Sequence, residues 1–179
     1  MNKELYLYIN ESNEDLIYYL NKILTPISFM KIKSNFFYLV LSSETEYINS
    51  IKTLESDFFI DISIFKKEIE IDSTIENIVY NFLKSYKKDV YTLSNVCEKL
   101  ILKNDPNKEY FKKFFELRLN KDLIDAGLMF ITTGNSISAS NKLFIHRNTL
   151  NYRIESIKRI TSLDLKKFND QLVFYGLFN

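Results

Sequence analysis

A single cysteine, Cys97, stands in 179 residues, so no intrachain disulfide can form and metal clusters built on two to four thiolates are excluded. The one histidine, His146, leaves few routes to nucleophilic or metal catalysis. Glycine is scarce, at three residues, and no phosphate-cradling glycine loop or nucleophile elbow is present. Asp57 and Asp61, read as part of a fourth strand, have no such loop beside them, so a cyclase-like chemistry lacks its partner motif. An enzyme is therefore not expected, nor a cofactor or a metal. No run of about twenty apolar residues occurs, and Met1–Asn10 mixes Lys3 and Glu4 with apolar positions unlike a signal peptide. A cytoplasmic protein with no membrane partner is the expectation. Arginine is scarce too: Arg118, Arg147, Arg153 and Arg159 are all there is among 24 basic residues. Lysine, isoleucine and asparagine are abundant, as an AT-rich genome would produce, so each arginine carries more information than any lysine.

What is present is enough to fold. Apolar residues make up 46% of the chain, which fills a core without staples for one ordinary domain or two small ones. The net charge of +1 hides a gradient: residues 1–70 carry −4, residues 71–141 carry +1 and residues 142–179 carry +4. An anionic partner would be met at the C-terminal end.

Residues 1–70 alternate between strand and helix patterns. Glu4–Ile9 is a β-favouring aromatic run. Ser12 is placed to cap a helix with Leu16, Ile17, Leu20, Ile23 and Leu24 on one face, stopped by Pro26. Ile27–Lys33 and Phe36–Leu41 read as a hairpin about Ser34-Asn35. Ser43-x-x-Glu46 has the form of a capping box for a second helix, and Phe58–Phe65 alternates like a final strand. The order βαββαβ is the ferredoxin-like pattern, a unit that would serve as sensor, dimerisation domain or plain scaffold. The expected fold class is therefore α+β, a ferredoxin-like unit followed by an all-α region.

Helix follows helix from Lys66 onward. Ser73-x-x-Glu76 opens one with Ile75, Ile78, Val79, Phe82, Leu83 and Tyr86. Leu93, Val96, Cys97, Leu100 and Ile101 make another stripe, which reads Cys97 as a core residue. Asp105-Pro106 is a helix start, with Tyr110, Phe111, Phe114, Phe115 and Leu117 facing the core. Residues 71–118 read as a helical linker or dimerisation region, and residues 119–179 as a helix-turn-helix domain. In that last segment Leu123, Ile124, Leu128, Phe130 and Ile131 form a helix ended at Thr133-Gly134. A short polar helix with small Ala139 and Ser140 follows, then a turn at Phe144-Ile145-His146, then a helix over about 147–160 whose Leu150, Ile154 and Ile157 face inward.

A short helix, a tight turn and a longer basic helix are the spacing that braces a recognition helix for the major groove of double-stranded DNA. Arg147, Asn148, Thr149, Asn151 and Tyr152 remain outward, with Arg153 on the flank. Arginine pairs with guanine O6 and N7, asparagine with adenine N6 and N7, and a threonine methyl touches thymine. Lys158 and Arg159 suit phosphates. His146 has no other ligand near in sequence, so a cap or a phosphate donor fits it better than a metal site or a pH switch.

The string Leu143-Phe144-Ile145-His146-Arg147-Asn148-Thr149-Leu150-Asn151-Tyr152-Arg153-Ile154 resembles the C-terminal helix-turn-helix of PucR-like transcription factors, of the purine-catabolism-regulator type, and more distantly the Fis-type helix-turn-helix. The likeness runs on through Thr161–Leu165 into a last helix around Gln171–Phe178. Asn151 and Ser156 stand where that family commonly has arginine, and Ser140 where it has alanine. The resemblance implies a bacterial DNA-binding transcriptional regulator, and favours for His146 a role at the start of the recognition helix. A homodimer is expected, because one short helix reads few base pairs. A small-molecule or protein effector would act at the N-terminal unit. The competing reading is an assembly module whose helix-turn-helix no longer binds DNA; such an interface would favour exposed aromatic and aliphatic side chains, of which Tyr152 alone is present on this face.

Overall fold

The structure is a computed structural model that describes residues 2–86 and 89–179, and its chain contacts divide into two units, 1–93 and 94–179.

The first unit is built on a sheet. Its order along the chain is β1 (Lys3–Ile9), α1 (Glu14–Leu24), β2 (Ser28–Lys33), β3 (Phe36–Leu41), α2 (Tyr47–Phe58), β4 (Ile62–Lys67), α3 (Ser73–Ser85) and β5 (Val90–Tyr91). The strands lie in the order β2-β3-β1-β4-β5, antiparallel up to β4, with β5 added parallel to β4. Strand alternation sorts the side chains by face. Leu5, Leu7 and Ile9 of β1 join Phe37, Leu39 and Leu41 of β3 and Ile62 and Ile64 of β4 against Leu16, Leu20 and Leu24 of α1 and Tyr47, Ile51 and Leu54 of α2. Each such aliphatic side chain, fully buried, stabilises the fold by roughly 1.5–3 kcal/mol.

The opposite face carries Tyr6, Tyr8, Phe36 and Phe65, and it too is buried. α3 lies over it. Tyr80 meets the rings of Tyr8 and Phe36 edge-on at 5.9 and 5.2 Å, and the Tyr6 hydroxyl donates to the Glu76 carboxylate at 3.0 Å. This is why the first unit runs to residue 93, beyond the break that the sequence pattern suggests at residue 70: α3 supplies the third layer of the sheet. Burial and the neighbouring Glu76 push the Tyr6 phenol well above the usual tyrosine range. Beside it, Glu4 accepts from Tyr38 at 2.6 Å and pairs with Lys67 at 2.7 Å, which holds the Glu4 carboxyl below its ordinary value.

Local details differ from the sequence pattern for identifiable reasons. Asn13, not Ser12, caps α1 by accepting from the Leu16 N–H at 2.8 Å, because the Ser12 hydroxyl is used to tie the β2–β3 turn at Ser34 and Asn35. Asp72, not Ser73, caps α3 through the N–H groups of Thr74 and Ile75. The Ser43-x-x-Glu46 box does not form; Glu46 itself precedes α2 and makes no side-chain cap. Phe58 is the last residue of α2, with Asp57 before it, and Phe59 turns left-handed (φ 54°), so β4 begins only at Ile62.

The second unit is helical: α4 (Leu93–Leu102), α5 (Asn107–Glu116), α6 (Lys121–Thr133), α7 (Ser136–Lys142), α8 (Arg147–Thr161) and α9 (Phe168–Phe178). Phe111, Phe114 and Phe115 are buried, whereas Tyr110 and Leu117 face outward, Leu117 at 86% exposure, because it follows the last turn of α5. Cys97 is fully buried, and burial pushes its thiol far above the reactive range. α6 packs on α7, α8 and α9. Gly127 lies close against α9 and α8: a Cβ there would stand 2.5 Å from the Phe174 ring and 3.2 Å from Ile157. Among the described residues no helix is long and apolar enough to cross a membrane.

Candidate nucleic-acid interface

α6 ends where Gly134 takes the left-handed conformation (φ 71°), and Asn135 at once caps α7 by accepting from the Ser138 N–H at 2.8 Å. Two helices can therefore follow one another with almost no loop. Ala139 and Ser140 are buried on α7, and small side chains there let α8 cross closely. The turn that follows places Phe144 in the left-handed region (φ 54°), 95% exposed, at a cost of about 1–2 kcal/mol for an L residue. The Ile145 N–H returns to the Ser140 carbonyl at 3.0 Å and closes the turn.

His146 starts α8. Its backbone is extended (φ −69°, ψ 144°), and its Nδ1 accepts from the Asn148 N–H at 3.2 Å, so the ring is a helix cap. Among the described residues no group of histidine, cysteine and carboxylate side chains is arranged to hold a metal. Leu150, Ile154 and Ile157 are buried, which fixes the rotation of the helix and turns Arg147, Asn148, Thr149, Asn151 and Tyr152 outward, with Lys158 and Arg159 two to three turns on. All seven of these, with His146, are exposed.

Two of the residues singled out by sequence are already engaged. Arg153 reaches back to α6, where its guanidinium lies 2.7 Å from the Asp122 carboxylate; only 21% of its side chain is exposed. It braces α8 against the first turn of α6. Lys158 pairs with Asp164 at 2.9 Å, and that pairing lowers the Asp164 carboxyl and raises the Lys158 ammonium from their ordinary values. Asp164 is itself held in place, its N–H donating to the buried Asp170 carboxylate at 2.9 Å, while Ser94 Oγ donates to the other Asp170 oxygen.

Sequence reasoning passed over two residues at this surface. Glu155 lies on the outward strip of α8 between Asn151 and Arg159, and Lys166, from the segment after α8, pairs with it at 2.5 Å. Their signal was present: position 155 continues the three- and four-residue spacing from Asn148 through Tyr152. Together with Arg147, Asn151, Phe130 and Ser136 they line a cleft of about 420 Å³.

Comparison with known proteins bears on this segment first. Residues 128–176 match the PucR C-terminal helix-turn-helix domain. Over 164 residues the chain is 29% identical to the "Proline-responsive transcriptional activator PutR" of Bacillus subtilis, an alignment covering 88% of this chain and 37% of that protein. It is 51% identical over 39 residues to the "Carbohydrate diacid regulator" of Escherichia coli, covering 22% of this chain and 10% of that one. The chain thus spans little more than a third of the first of these relatives. Among solved structures, a regulator of polyketide synthase expression from Bifidobacterium adolescentis aligns with a TM-score of 0.46 at 12% identity, over 98% of this chain and 78% of that one.

Proposed function

We propose, from the premise that residues 128–176 are a PucR C-terminal helix-turn-helix domain, that this chain is a sequence-specific DNA-binding transcriptional regulator with α8 in the major groove. The observation that carries the reading is the division of α8 into two faces. Leu150, Ile154 and Ile157 are locked in the core, while Arg147, Asn148, Thr149 and Asn151 present base-pairing chemistry on the first turns. Tyr152 adds an aromatic contact, and Arg159 a phosphate contact further along. His146 caps α8 with Nδ1 and keeps Nε2 for a phosphate. Arg153 acts through α6, and Lys158 reaches a phosphate only by leaving Asp164.

The alignment with PutR extends well upstream of residue 128, which supports a regulatory reading for both units. The first unit reads as ferredoxin-like: the βαββαβ order and the sheet order β2-β3-β1-β4 support it, with α3 and β5 as additions. An effector or a dimer contact at this unit, binding to DNA as a homodimer and a cytoplasmic location complete the proposal. A mobility-shift titration of the full chain on duplexes selected from a randomised library tests it. Arg147→Ala is expected to weaken the selected site by about 1–3 kcal/mol, roughly 5- to 150-fold, and to relax one base preference. A chain that retains no duplex from the library even at low salt would overturn the proposal.

A further inference from the structure

A carboxylate on a DNA-facing surface needs a reason. Glu155 is the ninth residue of α8, and its side chain is 54% exposed on the same strip as Asn148, Tyr152 and Arg159. With a rise of about 1.5 Å per residue, it stands about 10 Å along the helix from Asn148, or some three base-pair steps of about 3.4 Å. Facing phosphates it would only repel. Facing base edges it discriminates sharply, because an ionised carboxylate accepts hydrogen bonds and donates none. Guanine and thymine present acceptors in the major groove and are repelled. Adenine presents its N6 donor beside the N7 acceptor. Cytosine presents the N4 donor alone.

Lys166 sets this carboxylate up. Its ammonium pairs with Oε1 at 2.5 Å from outside the helix, which offsets the negative charge and leaves Oε2 without a partner among the described residues. The pair borders the cleft that also holds Arg147 and Asn151, so the carboxylate is placed among the groups assigned to base contact.

We infer that Glu155 is a specificity-determining residue that reads a cytosine through its N4 amino group, with Lys166 as the positioning residue. The inference rests on the DNA-recognition reading given above. It adds a base pair toward the middle of α8 to those read by the first turns, and of opposite preference: arginine and asparagine read purines, Glu155 a pyrimidine.

The test selects duplexes from a randomised library with the full-length wild-type chain and with Glu155→Ala, Glu155→Gln, Lys166→Ala and Lys166→Arg, then measures each protein on the wild-type site. The wild type is expected to select cytosine at one position per half-site and to lose about fivefold or more when that base is changed to thymine. Glu155→Ala is expected to lose the preference at that position alone, with the rest of the site unchanged. Glu155→Gln is expected to turn the preference to adenine, which a side-chain amide pairs bidentately. Lys166→Ala weakens the cytosine preference and Lys166→Arg keeps it. Glu155→Ala selecting the same site as wild type, and binding all duplexes more tightly, would overturn the inference: the carboxylate then only repels. A wild-type chain that enriches no sequence overturns the DNA reading itself, and this inference with it.

Discussion

Gly127 offers the sharpest test of how the second unit is held together. Replacing it with alanine adds one methyl group where α6 meets α9, and two opposing effects follow. Alanine in a helix interior is favoured over glycine by about 1 kcal/mol. Against that, the new Cβ would lie 2.5 and 2.7 Å from two ring carbons of Phe174, where carbon atoms sit comfortably at about 3.5–4.0 Å. The ring must retreat by about 1 Å. It has little room, because Phe174 is fully buried and also packs against the Phe178 ring at 4.7 Å between centroids. Overpacking of this kind costs about 1–3 kcal/mol, and the Ile157 contact at 3.2 Å adds to it. A net loss of about 1–2 kcal/mol is expected for Gly127→Ala, and more for Gly127→Val. The chain has no tryptophan and two units, so a single spectroscopic transition would mix them. Denaturant-dependent hydrogen exchange read by mass spectrometry on peptides from α6, α8 and α9 reports the second unit alone. Phe174→Leu in the same background should recover part of the loss, a coupling of about 1 kcal/mol. Gly127→Ala that slows exchange in these helices would refute the reasoning, since it would mean that helix propensity outweighs contact at this crossing.

Other consequences are as direct. Arg153→Ala and Asp122→Ala should each cost about 1 kcal/mol of stability or less, since Asp122 is largely open to solvent and screened, and should weaken binding to every duplex alike; a change of base preference with Arg153→Ala alone would assign it to the bases instead. The Glu4 carboxyl is lowered in the fold, first by Lys67 and then by Tyr38, so its contribution is present above its unfolded value near 4.5 and lost as the pH falls through its lower folded value. Tyr38 is pushed up to about 12, by burial first and then by Glu4, so its contribution is present below pH 10 and fades between there and pH 12. Stability measured by urea titration across both ranges should flatten at the alkaline end in Tyr38→Phe; an unchanged profile would count against the Tyr38–Glu4 bond. Cys97 should resist a thiol reagent in the folded chain and react once denaturant is added, and rapid labelling of the native protein would contradict its burial.

The strongest periodic signals in the sequence were legible to within a residue or two. The hairpin about Ser34-Asn35, the left-handed stop at Gly134 and the start of α8 at Arg147 each depend on chemistry local to a few residues. What escaped was set by partners distant in sequence. Ser12 and Asn13 are equally good caps, and the choice falls to Asn13 because Ser12 is engaged more than twenty residues away. Phe58-Phe59-Ile60 fits both a helix end and a strand start, and the left-handed Phe59 decides between them. At the candidate interface, residue types showed which side chains suit DNA, but not that Asp122, 31 residues upstream, would take Arg153, or that Lys166 would meet Glu155. The two-residue β5 gives no pattern to read.

The same gap appears in α3. Its periodicity announces a helix with one apolar face but not what that face covers, and the answer is the aromatic side of the sheet. A fragment cut at residue 70, where the strand pattern stops, would keep all four antiparallel strands and yet bare Tyr6, Tyr8, Phe36 and Phe65 to water. Such a sheet, apolar on an open face, is a surface for self-association. A fragment extended to Leu93 carries its own cover, α3, and is expected to remain monodisperse.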